Sequence, residues 1–467
     1  MKCKYHETDG SGNLLRRWTA AVVLVVVLLF GLAVAGCHRM LQSPEVYGMV
    51  SPVVKTYEKV SFDDGSWTAN RVEKPFSVVS DEGLLSWDAA HYDEIRRYLY
   101  DTTSMWQGNF AFFPLFPLVW RLSYLGPVGI SVLNWMLFAI GLVLVALIFG
   151  NSLPWWNCLL LLCAPYLVIF MVPYSEAVFF LGIAAGLYGL SRNRYWLYFL
   201  GFFLACTTRA AGNIIVVAWV IVDVLSAIYS RSGMLQLGRS LLRHLAPVVL
   251  GVLAVMLLQH IRGAEHWFEY VLAQREWGKE WAWPSWPFSD WSEEGKSVSQ
   301  PLVYMLLVPS LVWLALKLWH ALKPNTPPRT LDTMEQIRLL SVLFFVGNVL
   351  LALFTQQGSL FSQARLLTCT PFFCILVLDF ACSPLPRAWR WGLAAAILVA
   401  VLLCLQFFTH AYMLGAWLVL LLAVMVFFGN TMRPWMRWTL LGITLAINIF
   451  WTAYLFDCFL IGGWIFT

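Results

Sequence analysis

The sequence predicts an all-α, polytopic integral membrane protein with about 13 transmembrane helices. Three observations carry that fold class. Of the 467 residues, 60% are hydrophobic and only 12% charged, and mean hydropathy is +0.69, far from the make-up of a soluble domain. Apolar runs long enough for a bilayer recur along the chain, and the basic residues gather in the short connections between them.

A helix needs about 20 apolar residues to cross the hydrocarbon core. Runs of that order lie at 18–37, 127–149, 155–171, 174–191, 195–210, 213–229, 245–260, 301–320, 339–355, 366–381, 391–409, 411–428 and 439–457. Lys2, Lys4, Arg16 and Arg17 precede the first run, so residues 1–17 read as a cytoplasmic tail. Counting onward, the basic connections carrying Arg192 and Arg194, Arg231, Arg239 and Arg243, Lys323, Arg329 and Arg338, Arg387 and Arg390, and Arg433 and Arg437 all fall on the cytoplasmic side. The turn at 150–154 lacks a positive charge. The opposite side receives 38–126, 261–300 and 356–365, with the short turns Pro173–Glu176 and Thr207–Asn213.

The two large outer segments differ in character. Segment 38–126 is too long for a simple connection and too polar for lipid, which marks it as functional. Short surface helices are expected in it. From Asp88 onward, Ala90, Tyr92, Ile95, Tyr98 and Leu99 can share an apolar face, with Asp93, Glu94, Arg96 and Arg97 on the polar side. Segment 261–300 carries Trp267, Trp277, Trp281, Trp283, Trp286 and Trp291. Indoles at that density suit the headgroup region, with a sugar-stacking platform as the competing reading.

Charge and cysteine usage exclude other classes. A net charge of +5 is mild and scattered, so no nucleic-acid surface is expected. Cys158, Cys163, Cys206, Cys369, Cys374, Cys382 and Cys404 lie in or beside apolar runs without metal-ligand spacing and read as packing residues. Val34-Ala35-Gly36-Cys37 resembles a lipoprotein processing site, but cleavage there would discard the first span.

Asp88 stands at the expected start of the surface helix, where a carboxylate can serve unpaired backbone N–H groups as a cap. Asp63, Asp64, Glu73, Asp81, Glu82, Asp93, Glu94 and Asp101 compete with it in the same segment. Glu176, Arg209 and Arg365 sit at outer ends of apolar spans, where a charge is costly and a partner is expected. Either arginine can snorkel to the interface or pair with Glu176. His91, three positions after Asp88, has no second histidine or carboxylate at metal-ligand spacing, so neither metal nor cofactor is called for.

Several motifs occur in a recognisable order: Trp87-Asp88-Ala89, Asn109-Phe110-Ala111-Phe112-Phe113-Pro114-Leu115-Phe116-Pro117, Pro173-Tyr174-Ser175-Glu176-Ala177, Thr207-Thr208-Arg209-Ala210-Ala211-Gly212, Gln274-Arg275-Glu276-Trp277-Gly278 and Ala364-Arg365-Leu366-Leu367. Together they resemble the PIG-V/Gpi18 mannosyltransferases, a family of GT-C membrane glycosyltransferases, over roughly residues 18–380. The resemblance implies a GT-C catalytic module over 18–380 followed by C-terminal transmembrane helices at 381–467. It also implies a polyprenyl-phosphate-linked mannose donor, a lipid-linked or glycan acceptor, and a catalytic carboxylate in the first non-cytoplasmic loop, which here matches Asp88.

A carboxylate so placed can take the proton of a sugar hydroxyl as it attacks the anomeric carbon, with inversion. Arg209 and Arg365 are then candidates for the departing lipid phosphate. Glu176, His91, Trp87, Asn109 and Trp277 complete the candidate donor- and acceptor-binding residues. The Thr-Thr-Arg-Ala-Ala-Gly element departs from the wording of the eukaryotic members, and no Asn-x-Ser/Thr sequence occurs. Both point to a bacterial inner membrane and a cell-envelope acceptor. A flippase for lipid-linked sugars and a noncatalytic glycan-assembly subunit are the rival readings.

Overall fold

The computed structural model describes residues 10–52, 56–61, 67–101, 105–150, 153–154, 156–284, 299–322, 328–356, 360, 362–382, 386–405 and 410–463. Helix dominates. Seven described helices are long and apolar enough to cross a membrane: Ala20–Met40, Pro127–Phe149, Gly212–Ser230, Met234–Ile261, Thr333–Thr355, Met413–Thr431 and Pro434–Leu460. Shorter apolar helices cover Glu176–Ser191, Tyr195–Thr208 and Pro371–Cys382, and further helices cover Ser299–Leu322 and Arg387–Leu405. The chain divides into two compact units, one of Met1–Ala90, Leu125–Ala177 and Val377–Thr467, the other of His91–Tyr124 and Val178–Leu376.

In the first unit, the N-terminal helix (Gly10–Met40) packs against Pro127–Phe149 and Pro434–Leu460. Trp135 donates its indole N–H to the Val27 carbonyl at 3.2 Å, and a Cβ at Gly31 would run into that indole. Both partner helices begin with proline at the first turn, where its missing N–H costs nothing. The segment that follows the N-terminal helix is fastened by Asp457, which accepts from the Ser77 backbone N–H at 2.6 Å and lies 3.8 Å from His38 Nε2. Beside its helices, this segment also holds a pair of strands. Thr56–Ser61 and Trp67–Val72 pair antiparallel, Thr56 opposite Val72, as a two-stranded hairpin. Thr56 is buried, and its hydroxyl lies 2.8 Å from the Lys74 carbonyl.

The apolar run at 155–171 is not one helix. A short helix (Asn157–Leu161) gives way to turns around Pro165 and a 3-10 turn (Leu167–Met171). Backbone that leaves helical hydrogen bonding at membrane depth must be satisfied by protein groups. Asn448 donates to the carbonyls of Leu162 and Ala164 at 2.6 and 2.9 Å, and Trp451 to that of Pro165 at 2.8 Å. Asn134 serves Val172 and Tyr174 in the same way, at 2.8 and 2.9 Å. The run at 366–381 is likewise divided, into Gln363–Thr368 and Pro371–Cys382, because Pro371 cannot continue the first helix.

The second unit takes the helix Glu176–Ser191 from Val178 onward, and this helix forms a tight helical hairpin with Tyr195–Thr208. A Cβ at Gly201 would meet the backbone of Gly182 and Gly186, the small-residue contact that lets two membrane helices approach closely. Met234–Ile261 packs on Tyr195–Thr208 and Gly212–Ser230, and Thr333–Thr355 packs on Gly212–Ser230. His244 and Asp223, both buried, join two of these helices at 2.9 Å. Asp332 and Glu335 form a capping box that starts Thr333–Thr355.

Candidate active site

The helix Asp88–Tyr98 carries the first candidate residue at its first position. Asp88 is half-buried there, in the first turn. Trp87 before it has φ of 55°, a left-handed backbone that costs a bulky residue about 1–3 kcal/mol and persists only where its surroundings hold it. One such hold is its indole N–H, which donates to the Gly463 carbonyl at 3.2 Å.

The polar face of this helix is not the simple one that periodicity predicts. Asp93 is buried rather than solvated, chelated by Arg96 at 2.5 Å and Arg97 at 2.6 Å, while Ala90 and Tyr98 are exposed. A carboxylate bound to two guanidiniums of its own helix is committed to structure. Tyr92 and Ile95 are buried as the pattern requires.

Three of the predicted residues come together in the second unit. His91 Nδ1 lies 2.7 Å from Asn109 Oδ1, and Asn109 Nδ2 donates to Glu94 Oε2 at 2.5 Å. Trp277 stands edge-on to the His91 ring at 5.0 Å, Phe112 stacks nearly parallel to it at 5.2 Å, and Trp106 lies tilted at 5.6 Å. Sequence reasoning had Glu94 only among competing carboxylates and did not single out Trp106 or Phe112. A usable signal was there: Glu94 lies one turn beyond His91 on the same helix, and Phe112 belongs to the aromatic-proline run.

The segment bearing Asn109 is a 3-10 turn (Gln107–Ala111) whose carbonyls are held by side chains from other elements. Trp277 Nε1 donates to the Gly108 carbonyl at 3.0 Å, Gln259 to that of Phe110 at 2.9 Å, and Tyr100 to that of Phe112 at 2.6 Å. Burial pushes the Tyr100 phenol up, which keeps its proton available for that bond. Glu94 Oε1 accepts the Trp106 backbone N–H at 3.4 Å. Beneath the turn, Ile95, Tyr100, Met105, Phe110, Ala264 and Ala273 form a buried apolar cluster. A site framed this way is held by packing and by outer hydrogen bonds, as catalytic geometry requires.

The remaining candidates sit on other elements. Glu176 opens the helix Glu176–Ser191 and is 3% exposed. Arg209 is half-buried and extended just after Tyr195–Thr208, and Arg365 is 6% exposed on Gln363–Thr368. Trp281 and Trp283 are exposed and lie against Phe354. Trp286, Trp291, Asp63 and Asp64 fall outside the described residues.

No protein-family model matches this chain, and no curated protein matches it. Among solved structures, the chain is similar to the crystal structure of ArnT from Cupriavidus metallidurans bound to undecaprenyl phosphate. That likeness has 15% sequence identity and a TM-score of 0.40, and it covers 83% of this chain and 73% of that one.

Proposed function

We propose that this chain is a GT-C membrane glycosyltransferase resembling the PIG-V/Gpi18 mannosyltransferases. It takes a mannose-like sugar from a polyprenyl-phosphate donor and passes it, with inversion, to a glycolipid, glycan or glycoprotein acceptor on the non-cytoplasmic side of a bacterial inner membrane. The observation that carries the reading is the helix Asp88–Tyr98: a half-buried carboxylate at its first position, then, one turn on, an imidazole fixed by an amide and ringed by aromatics. Asp88 accepts the proton of the attacking hydroxyl. Arg209 and Arg365 are the groups for the phosphate, whose negative charge grows as the glycosidic bond breaks.

A flippase is the second reading, favoured by the broken backbone around 162–166, since transporters build binding sites from interrupted helices. Here the freed carbonyls of Leu162, Ala164 and Pro165 are already occupied by Asn448 and Trp451, which weighs against a substrate site there.

Asp88→Asn separates an enzyme from a flippase or assembly subunit. The change keeps size and removes the proton acceptor, so turnover of synthetic polyprenyl-phosphate-mannose with cell-envelope lipid extract should fall about a hundredfold or more. Asp88→Glu should recover little, because one methylene displaces the carboxylate from attack geometry. Wild-type turnover by purified Asp88→Asn protein would return Asp88 to the role of helix cap.

A further inference from the structure

Asn109 stands between a carboxylate and an imidazole, and that placement gives the cluster a direction. An ionised carboxylate only accepts hydrogen bonds, so the amide must turn its Nδ2 toward Glu94 Oε2, at 2.5 Å. Turned about, two oxygens would face each other without a proton between them. The other amide atom, Oδ1, is then toward His91 Nδ1 at 2.7 Å, and Oδ1 cannot donate. The hydrogen of that bond must therefore sit on the ring nitrogen, a tautomer assigned from the network itself. A neutral imidazole has one N–H, so Nε2 is left with its lone pair. The Trp106 backbone N–H on the second oxygen of Glu94, at 3.4 Å, holds the carboxylate in place. Among the described residues, no group is hydrogen-bonded to His91 Nε2.

The surroundings of that lone pair select its partner. Phe112 lies nearly parallel to the imidazole, Trp277 stands edge-on, and Trp106 lies tilted beside it. Trp277 has already given its N–H to the Gly108 carbonyl, so it offers only its ring. Aromatic walls suit the C–H faces of a pyranose. A lone-pair acceptor suits a hydroxyl and repels a phosphate or carboxylate oxygen, which needs a donor.

We infer that the Glu94–Asn109–His91 chain fixes His91 as the Nδ1–H tautomer, and that Nε2 accepts a hydroxyl of the sugar ring. His91 would thereby act as a sugar-recognition residue distinct from the proton acceptor Asp88. The sugar rests on the proposed glycosyltransferase reading; the tautomer rests on the hydrogen-bond chain alone.

The test uses full-length protein in lipid nanodiscs with 15N-labelled histidine. Subtracting the spectrum of His91→Gln assigns His91 among the eight histidines. At a pH of about 8.5, above the ordinary imidazole range, two-bond 1H–15N correlations should show a protonated Nδ1 and an unprotonated Nε2. Glu94→Gln removes the demand for a donor and should give a mixture of tautomers, with the unfolding temperature reporting that the protein remains folded. A wild-type His91 protonated at Nε2, or an unchanged Nδ1–H tautomer in folded Glu94→Gln protein, overturns the relay.

Saturation transfer to methyl α-D-mannopyranoside tests the ligand. His91→Phe keeps the ring and removes the acceptor, and should weaken the signal about fivefold, the worth of one neutral hydrogen bond. No transfer in the wild type, or equal transfer in His91→Phe, overturns the hydroxyl assignment. Neither arm involves turnover, so a failure here is distinguishable from loss of the catalytic reading, which Asp88→Asn decides.

Discussion

Changing Asn448 to Ala should loosen the first unit more than any comparable polar substitution at its surface. The side chain is fully buried and its two N–H groups reach the carbonyls of Leu162 and Ala164 at 2.6 and 2.9 Å. Thr452 lies 3.5 Å from the amide oxygen and orients the group. A buried polar group stripped of its partner costs about 1–3 kcal/mol. Side-chain hydrogen bonds in membrane proteins average a lower figure, about 0.6 kcal/mol, because the alternative state also finds partners. Water cannot reach two stranded carbonyls inside an apolar segment, so the upper range governs and the loss should be about 2–4 kcal/mol.

Asn448→Asp should be worse, since an anionic oxygen would replace donors against carbonyl oxygens. A thiol-reactive fluorophore in detergent provides the assay, because Cys158 and Cys163 are buried beside this segment and become reactive only on unfolding. The midpoint should drop by about 2–4 °C for Asn448→Ala, at about 1 kcal/mol per degree for a chain of this length. Thr355→Ala, which removes an exposed hydroxyl bonded to the Leu351 carbonyl, is the control and should change stability by less than about 0.5 kcal/mol. Midpoints for Asn448→Ala and Asn448→Asp that match the control would refute the claim that the side chain holds the broken backbone.

Other outcomes follow from features already described. Gly201→Leu should separate the helices Glu176–Ser191 and Tyr195–Thr208 and lower the unfolding midpoint sharply, whereas Gly238→Ala, where an added Cβ meets nothing, should leave it unchanged. A cysteine introduced at exposed Glu82 should react with an impermeant reagent applied from the non-cytoplasmic side and not from the cytoplasm, and the reverse result would invert the assigned topology. Arg365→Lys and Arg209→Lys keep the charge but lose the planar fork, so the KM for the polyprenyl-phosphate donor should rise about tenfold at the residue that grips the phosphate; unchanged KM for both would remove them from that role.

The long apolar runs were legible because hydropathy and helix length are local properties. Pro127–Phe149 and Gly212–Ser230 coincide with their predicted spans within one or two residues. The break around Pro165 was not legible in the same way. A run counts apolar side chains, whereas the break depends on donors at Asn448 and Trp451, nearly 290 positions along the chain. The hairpin Thr56–Val72 was missed because it is defined by backbone pairing, to which a polar stretch of mixed residues gives no strong period.

At the candidate site, Asp88 stood out through the Trp87-Asp88-Ala89 motif rather than its position, His91 through its place three residues on, and Asn109 and Trp277 through their motifs. Sequence spacing does not say which of many carboxylates meets an amide 15 residues away, and that choice decided Glu94 over Asp93. Asp93 stood out equally in the sequence, yet Arg96 and Arg97 on its own helix had claimed it.

The carbonyls of Gly108, Phe110 and Phe112 are anchored by Trp277, Gln259 and Tyr100, residues drawn from three separate stretches of the chain. This makes the aromatic-proline segment and the Trp-rich segment inseparable in any exchange between related proteins. Grafting the sequence around Trp277 from a homologue would leave the Gly108 carbonyl facing a foreign side chain, and would move the ring that stands edge-on to His91 with it. Chimaeras that trade both segments together should keep the rings around His91 in place, while those trading either alone should lose them even though the helix Asp88–Tyr98 is intact. The surroundings of His91 would then change by coordinated replacement of distant stretches, rather than by drift in one loop.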